Sequence, residues 1–484
     1  MNPMLIDKDY KNIFRFFTEI SAVPRGSKNN TAISNYLTDF AKQRGLKYIR
    51  DEYENVIIIR EASKGYEKAP AVIIQGHMDM VCEKTPDSTH NFLTQGIELL
   101  VDGDYIHAKD TTLGADDGVA LAYALALLDD PGLKHPRLEV VFTTDEETGM
   151  EGAIGLDISG LQGRYLLNID SEEEGILLTS AAGGLKASCE LPLKRVEGKG
   201  IKLNLEIHGL QGGHSGTDIN KNRTNAAVLM GRLLFELKEY ADFGVITLLG
   251  GSKDNAITRD SVSEIFLYPD ELDNFKNGVE ILAKIYGNEL RSSEPGLTIQ
   301  SLVTGEGTYR YLHPTSFEKL LFLLVNLPHG VQGMSADIPG LVESSLNLGI
   351  FHTDRDKVVF SYSVRSSVTT CKKFIGKRLS YMTQFMGGEY HVSAEYPAWE
   401  YRKDSRLRDY LCGIFKEQYG YEPKLEAIHA GLECGFFAEK LPDADIISLG
   451  PDIPDIHTPK ERLSISSALR VYKFVEKAIE GMNG

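Results

Sequence analysis

A chain of 484 residues with 69 Asp and Glu against 52 Lys and Arg carries a formal net charge of −17, which argues against nucleic acid or an anionic membrane as a partner. Its 42% apolar and 25% charged residues are those of a soluble globular protein rather than a disordered one, and the length suits two or three domains of roughly 100–200 residues each. Cys82, Cys189, Cys371, Cys412 and Cys434 are odd in number and form no CxxC pair, a pattern that suits a reducing compartment and excludes a disulfide framework or a cysteine zinc site.

Met1–Asp9 lacks a basic stretch leading into an apolar one, so no secretory leader is expected. No apolar run approaches the ~20 residues of a membrane span, and a cytoplasmic protein is the expectation. Ile13, Phe16, Phe17 and Ile20, then Ile33, Tyr36, Leu37 and Phe40, fall at helical spacing. The short apolar runs Val56–Ile59, Ala71–Ile74, Leu138–Phe142 and Tyr165–Leu167 read as buried strands, with an Ala- and Leu-rich helix over Asp117–Leu128 between two of them. This alternation predicts an α/β domain with a mostly parallel sheet flanked by helices.

From about Leu185 the texture changes to strands at Lys186–Leu191 and Ile201–Ile207 mixed with helices at Asn225–Tyr240 and Leu272–Tyr286. After Tyr396 the α/β texture returns, with helices at Ser405–Gln418 and Ser466–Ile479 around a strand at Asp445–Leu449. The expected organisation is one domain interrupted by another: residues 1–184 and 397–484 form the first, and an α+β insert over 185–396 the second.

Chemistry-bearing residues follow the predicted strands. His77 and Asp79 come after the second, Asp145, Glu146 and Glu147 after the third, and Asp170 after the fourth. Asp116 and Asp117 lie in a glycine-flanked loop that leads into a helix, and His457 follows the last strand. In open α/β sheets ligands bind at the carboxyl ends of the strands. Imidazole and carboxylate ligands together suit zinc, or cobalt or manganese. Five ligands cannot serve one tetrahedral ion, but two ions sharing a carboxylate would use them all, and such a pair is suited to hydrolysis by an activated water. One of Glu146 and Glu147 could bind metal while the other serves as base. Asp129, Asp130 and Glu172–Glu174 read instead as helix caps or solvated loop residues.

Four segments resemble the successive signatures of the co-catalytic di-zinc metallopeptidases, the family that includes carnosinases, bacterial carboxypeptidases and aminoacylases. They are Gly76-His77-Met78-Asp79, Leu113-Gly114-Ala115-Asp116-Asp117-Gly118, Thr144-Asp145-Glu146-Glu147-Thr148-Gly149 and Asn168-Ile169-Asp170-Ser171-Glu172-Glu173-Glu174-Gly175. Within that family the longer stretches Gly209–Gly216 and Ile428–Gly435 are most similar to the aminoacyl-histidine dipeptidases.

The resemblance implies that His77 and Asp170 bind one zinc, Glu147 and His457 the other, and that Asp116 bridges them. It implies that Asp79 orients His77, that Glu146 is the general base and that the Asp116–Asp117 peptide is cis. The insert corresponds to the family's lid, with His214 stabilising the oxyanion. Arg365 resembles the arginine that grips the substrate carboxylate, an ordinary surface arginine being the alternative. Asn255 is a second lid candidate, the alternative being a turn residue. The implied activity is hydrolysis of small peptides, Xaa-His dipeptides such as carnosine, by a homodimer. The rivals are an aminoacylase or carboxypeptidase on the same site and, more remotely, an inactive binding protein on this scaffold.

Overall fold

The computed structural model describes residues 10–483, so the reading of Met1–Asp9 lies outside the described residues. The chain forms two compact units. The first takes the described residues up to Ser180 together with Tyr401–Ala427 and those from Leu432 onward, and the second takes Ala181–Glu400 and Ile428–Gly431.

The first unit begins with α1 (Ile13–Ser21), α2 (Thr31–Gln43), β1 (Lys47–Arg50), β2 (Val56–Arg60) and β3 (Val72–His77). A hairpin of β4 (Leu99–Asp102) and β5 (Tyr105–Ala108) precedes α3 (Ala115–Asp129), β6 (Leu138–Thr143), α4 (Glu151–Gly155), β7 (Tyr165–Asn168) and β8 (Ile176–Ala181). Every residue of β3 and β6 is buried, which is why Val72–Ile74 and Val140–Phe142 read as apolar runs rather than as alternation, with Gln75 and Glu139 buried beside them. Helix α3 is apolar all round its circumference, and Val119–Leu128 are all buried. Helix α1 buries Ile13, Phe14, Phe16, Phe17 and Ile20 in the same core.

The second unit contains β9 (Gly183–Pro192), β10 (Arg195–His208), β11 (Gly213–His214), α5 (Ala226–Leu237), β12 (Phe243–Gly250), β13 (Ala256–Ile257), β14 (Ser261–Leu267) and α6 (Leu272–Glu289). It continues through β15 (Thr298–Leu312), α7 (Pro314–Asn326), β16 (Gly330–Met334), β17 (Val342–Thr353), β18 (Lys357–Ser366), α8 (Thr369–Phe385) and β19 (Glu389–Tyr396). Its large sheet runs β15-β10-β14-β12-β17-β18-β9-β19, with β16 added on β17. The apolar positions of β10, Leu203, Leu205 and Ile207, alternate with polar ones and share a core with Leu233 of α5, Phe275 of α6 and Leu320 of α7. Asn225 caps α5, its side-chain oxygen accepting from the N–H groups of Ala227 and Val228. The two-residue strand β11 pairs only with β13, placing His214 opposite Ala256.

The chain then completes the first unit with α9 (Arg406–Tyr419), β20 (Lys424–Ile428), α10 (Cys434–Lys440), β21 (Asp445–Ser448), β22 (Arg462–Ser464) and α11 (Ile465–Gly481). The eight-stranded sheet has the order β1-β2-β6-β3-β7-β21-β8-β20. It is parallel in its centre, where β3 pairs with β6 and β7, and β7 with β21. At the flanks it turns antiparallel, in the pairings of β1 with β2, β2 with β6 and β21 with β8. The parallel centre sets the carboxyl ends of β3, β6, β7 and β21 along one edge. Among the described residues no helix is long and apolar enough to cross a membrane.

Candidate active site

Each parallel strand ends in or shortly before a chemistry-bearing residue. His77 is the last residue of β3, the short turn Glu146–Thr148 follows β6, Asp170 stands two residues beyond β7, and His457 lies in the loop after β21. Asp116 enters from the start of α3, where its backbone departs from helical geometry and the Asp116–Asp117 peptide is cis, as the resemblance implies.

These residues converge. His77 Nε2 lies 3.0 Å from Asp116 Oδ1 and 3.4 Å from Asp170 Oδ1. His457 Nε2 lies 3.1 Å from Asp116 Oδ2 and 3.0 Å from Glu147 Oε1. Two groups with metal-ligand geometry result, His77–Asp116–Asp170 and Asp116–Glu147–His457, and they share Asp116. Glu146 stands beside both, grouped with His77 and Glu147. Asp79 is fully buried behind His77, with Oδ1 3.5 Å from Nδ1 of the ring. Asp79 also accepts from Ser27 Oγ at 2.7 Å and from the N–H groups of Glu146 and Glu147 at 3.1 and 3.4 Å, so its carboxylate pins the turn that carries both glutamates, while His77 Nδ1 lies 3.2 Å from the Asp79 backbone carbonyl oxygen. The N–H of His77 donates to Asp117 Oδ2 at 3.1 Å.

The electrostatics are those of carboxylates crowded out of water. Burial works against the charged form of His77, but Asp170, Asp116 and Asp79 hold its pKa well above the ordinary value. Hydrogen bonds to Asp116 and Glu147 push His457 up to about 11. Burial raises Asp170 to about 6 against the pull of His77. Burial also lifts Glu146 well above the usual carboxylate range, against His77 and reinforced by Asp170, Glu433 and Glu147. Glu147 Oε1 is buried and receives no well-directed hydrogen bond, although His457 Nε2 is close. A buried acceptor without a donor, in a set of imidazole nitrogens and carboxylate oxygens, fits a divalent cation such as zinc.

In the second unit, His214 Nδ1 accepts from the N–H groups of Gly216 and Thr217 at 3.3 and 3.2 Å. That leaves the ring proton of the neutral imidazole on Nε2. Burial and the neighbouring Arg365 lower its pKa. Gly213 has φ +147°, and a Cβ there would stand 2.0 Å from Arg223 Nη1, so the residue before His214 has to be glycine. Arg365 is 9% exposed; Nη1 donates to Tyr396 Oη at 3.0 Å while Nε has no partner. Arg365 is thus largely buried rather than on the open surface. Asn255 lies in the turn before β13, with its side chain exposed and its carbonyl accepting from Ser215 N–H at 2.9 Å.

The sequence profile of Peptidase family M20/M25/M40 matches residues 73–481. The chain belongs to this family. It is a metallopeptidase, a hydrolase with a mixed α/β fold. The cytosol non-specific dipeptidase of Escherichia coli K12 is 33% identical over 459 residues, 94% of each chain. The crystal structure of aminoacylhistidine dipeptidase from Vibrio alginolyticus superposes with a TM-score of 0.91 at 32% identity, covering 97% of this chain and 96% of that one. A Staphylococcus aureus tripeptidase shares the fold at a TM-score of 0.56 and 15% identity, covering 98% of each chain.

Three further residues of this M20 peptidase shape the site without having stood out in the sequence. Glu433 is fully buried and accepts from Gln75 Nε2 and Thr143 Oγ1, both at 2.6 Å; burial raises its pKa to about 7. Arg25 and Glu461 are 2% exposed and grip the backbone around Asp116. A buried Arg or Glu has no sequence signature; the one available hint was that Glu461 follows His457 by four residues. Asp129 and Asp130, expected as helix caps or solvated loop residues, instead form ion pairs, Asp129 with Arg15 and Arg44 and Asp130 with Lys11.

Proposed function

We propose that the chain is a cytosolic dipeptidase that cleaves Xaa-His dipeptides with two divalent ions, zinc before cobalt or manganese. The observation that carries this reading is the pair of His–carboxylate groups meeting on Asp116. His77 and Asp170 would hold one ion and Glu147 and His457 the other, with Asp116 as the ligand common to both. Ions bound there would supply a water of lowered pKa and a positive partner for the scissile carbonyl.

The protein's own groups then move the protons and hold the substrate. Glu146 accepts the proton lost by water as its oxygen adds to the carbonyl carbon, and returns it to the nitrogen as the C–N bond breaks. Asp79 keeps the His77 ring in place. His214, with its proton on Nε2, donates to the oxygen that gains negative charge. Arg365 takes the C-terminal carboxylate of the leaving residue, a task that suits its planar fork, and Asn255 contributes from the neighbouring turn. Residues 185–396 serve as the lid domain, and the working form is a homodimer.

The preference for dipeptides is supported by the names of the two relatives above that are 33% and 32% identical to this chain, and by an unpaired arginine nitrogen that a carboxylate would satisfy. A panel of metal-reconstituted assays tests it. We expect hydrolysis of an Xaa-His dipeptide, and weak or no hydrolysis of an N-acyl amino acid or a longer peptide. Preferential hydrolysis of N-acyl amino acids would move the assignment to an aminoacylase.

A further inference from the structure

Asp116 is held by two buried charges of opposite sign that lie outside the ligand set. The Glu461 carboxylate accepts from four consecutive backbone N–H groups. Oε2 takes Leu113 and Gly114 at 2.8 and 3.0 Å, and Oε1 takes Ala115 and Asp116 at 2.8 and 3.3 Å. Both oxygens are thereby occupied, so Glu461 is not available as a metal ligand. On the other side, Arg25 Nη1 donates to the carbonyls of Met78 and Asp79, each at 3.0 Å, and Nη2 donates to the carbonyl of Gly114. One guanidinium thus ties the segment that carries His77 and Asp79 to the loop that carries Asp116.

The glycines of the loop make room for that group. A Cβ at Gly114 would lie 2.7 Å from Arg25 Nη2, and one at Gly118 would lie 2.6 Å from it. Gly114 also sits at φ +69°, in the left-handed region. The charged neighbours of the guanidinium are Glu461, Asp79, Asp117 and Asp116, so the buried cation faces buried carboxylates on several sides.

We propose that Arg25 and Glu461 are positioning residues that fix the Asp116 carboxylate in the one place from which both metal ions can be held. The proposal rests on the two-ion reading above. Glu461 sets the row of amides that ends at Asp116, and Arg25 sets the distance between that row and the His77 strand end. Because both act through the shared ligand, their loss weakens the two ions together.

The test is a metal titration of the stripped protein, wild type against Glu461→Gln, followed by calorimetry and by the visible spectrum of the cobalt-loaded form. The substituted amide presents an NH2 group to a row of donors. We expect a folded variant in which both binding steps weaken by about 10–100-fold, the range typical for lost outer partners of a metal ligand. The cobalt spectrum should shift as well, which a general loss of packing would not cause in the folded fraction. Wild-type affinity at either step, or an unchanged spectrum, overturns the proposal. Should Glu461→Gln not fold, Arg25→Lys is read by the same criteria, since one ammonium nitrogen cannot occupy the positions of both Nη1 and Nη2. A wild-type chain that binds fewer than two ions contradicts the two-ion reading itself, and this proposal with it.

Discussion

His77 and His457 face the two oxygens of one carboxylate: His77 Nε2 is 3.0 Å from Asp116 Oδ1 and His457 Nε2 is 3.1 Å from Oδ2. The chain supplies these imidazoles from positions 380 residues apart, on β3 and after β21, and the parallel centre of the sheet brings them together. Asp116→Ala should therefore lower metal occupancy at both positions, whereas His457→Ala should empty chiefly one. Metal analysis of the purified variants decides it, and full double occupancy in Asp116→Ala would contradict the bridge.

Glu146 lies outside the shared carboxylate and is assigned proton transfer alone. Glu146→Ala should keep its fold and both ions while kcat falls by roughly 10²–10⁴-fold. Near-wild-type turnover by a metal-replete variant would remove Glu146 from the mechanism.

Metal binding should expel protons. In the metal-free protein the neighbouring carboxylates hold both His77 and His457 well above an ordinary imidazole pKa, His457 at about 11. A metal ligand has to be a neutral imidazole, so apparent metal affinity should rise with pH. The sign for stability is opposite. A pKa raised on folding stabilises the metal-free fold fully below the ordinary value of 6.5, and that contribution is lost as the pH climbs towards about 11. Calorimetry in two buffers of different ionisation enthalpy measures the released protons, and melting of the stripped protein against pH measures the second effect. Affinity independent of pH would contradict the assignment of these imidazoles as ligands.

Arg365→Met removes the group assigned to the substrate carboxylate. Truncating one side of a buried charge pair costs about 2–5 kcal/mol, so kcat/KM for a dipeptide should fall by roughly 30-fold or more. The C-terminal amide of the same dipeptide should be a poor substrate for wild type and should lose little more in the variant. Equal losses for acid and amide would show that Arg365 does not read the carboxylate.

The sequence was most informative where burial imposes a pattern. The short apolar runs within β3, β6, β7 and β21 mark the central strands, and the ligand candidates other than Asp116 stand at or after their ends. Strand direction was less legible: β2 looks like its parallel neighbours but pairs antiparallel with β6, because a fully buried strand shows the same apolar run in either direction. The hairpin of β4 and β5 escaped notice, since its partly exposed strands form neither a long apolar run nor a strict alternation. Arg25 and Glu461 were invisible for a different reason. They act on backbone N–H and C=O groups, and a main-chain contact leaves no trace in the identity of the residue it touches.

Two ions held around Asp116 are proposed to give this M20 peptidase its dipeptidase activity. The most direct measurement follows hydrolysis of an Xaa-His dipeptide by the stripped protein as zinc is added, with bound metal counted per chain at each step. Activity should be negligible without metal and full only when two ions are bound. Full activity at one ion per chain, or turnover by the stripped protein, would contradict the two-ion reading.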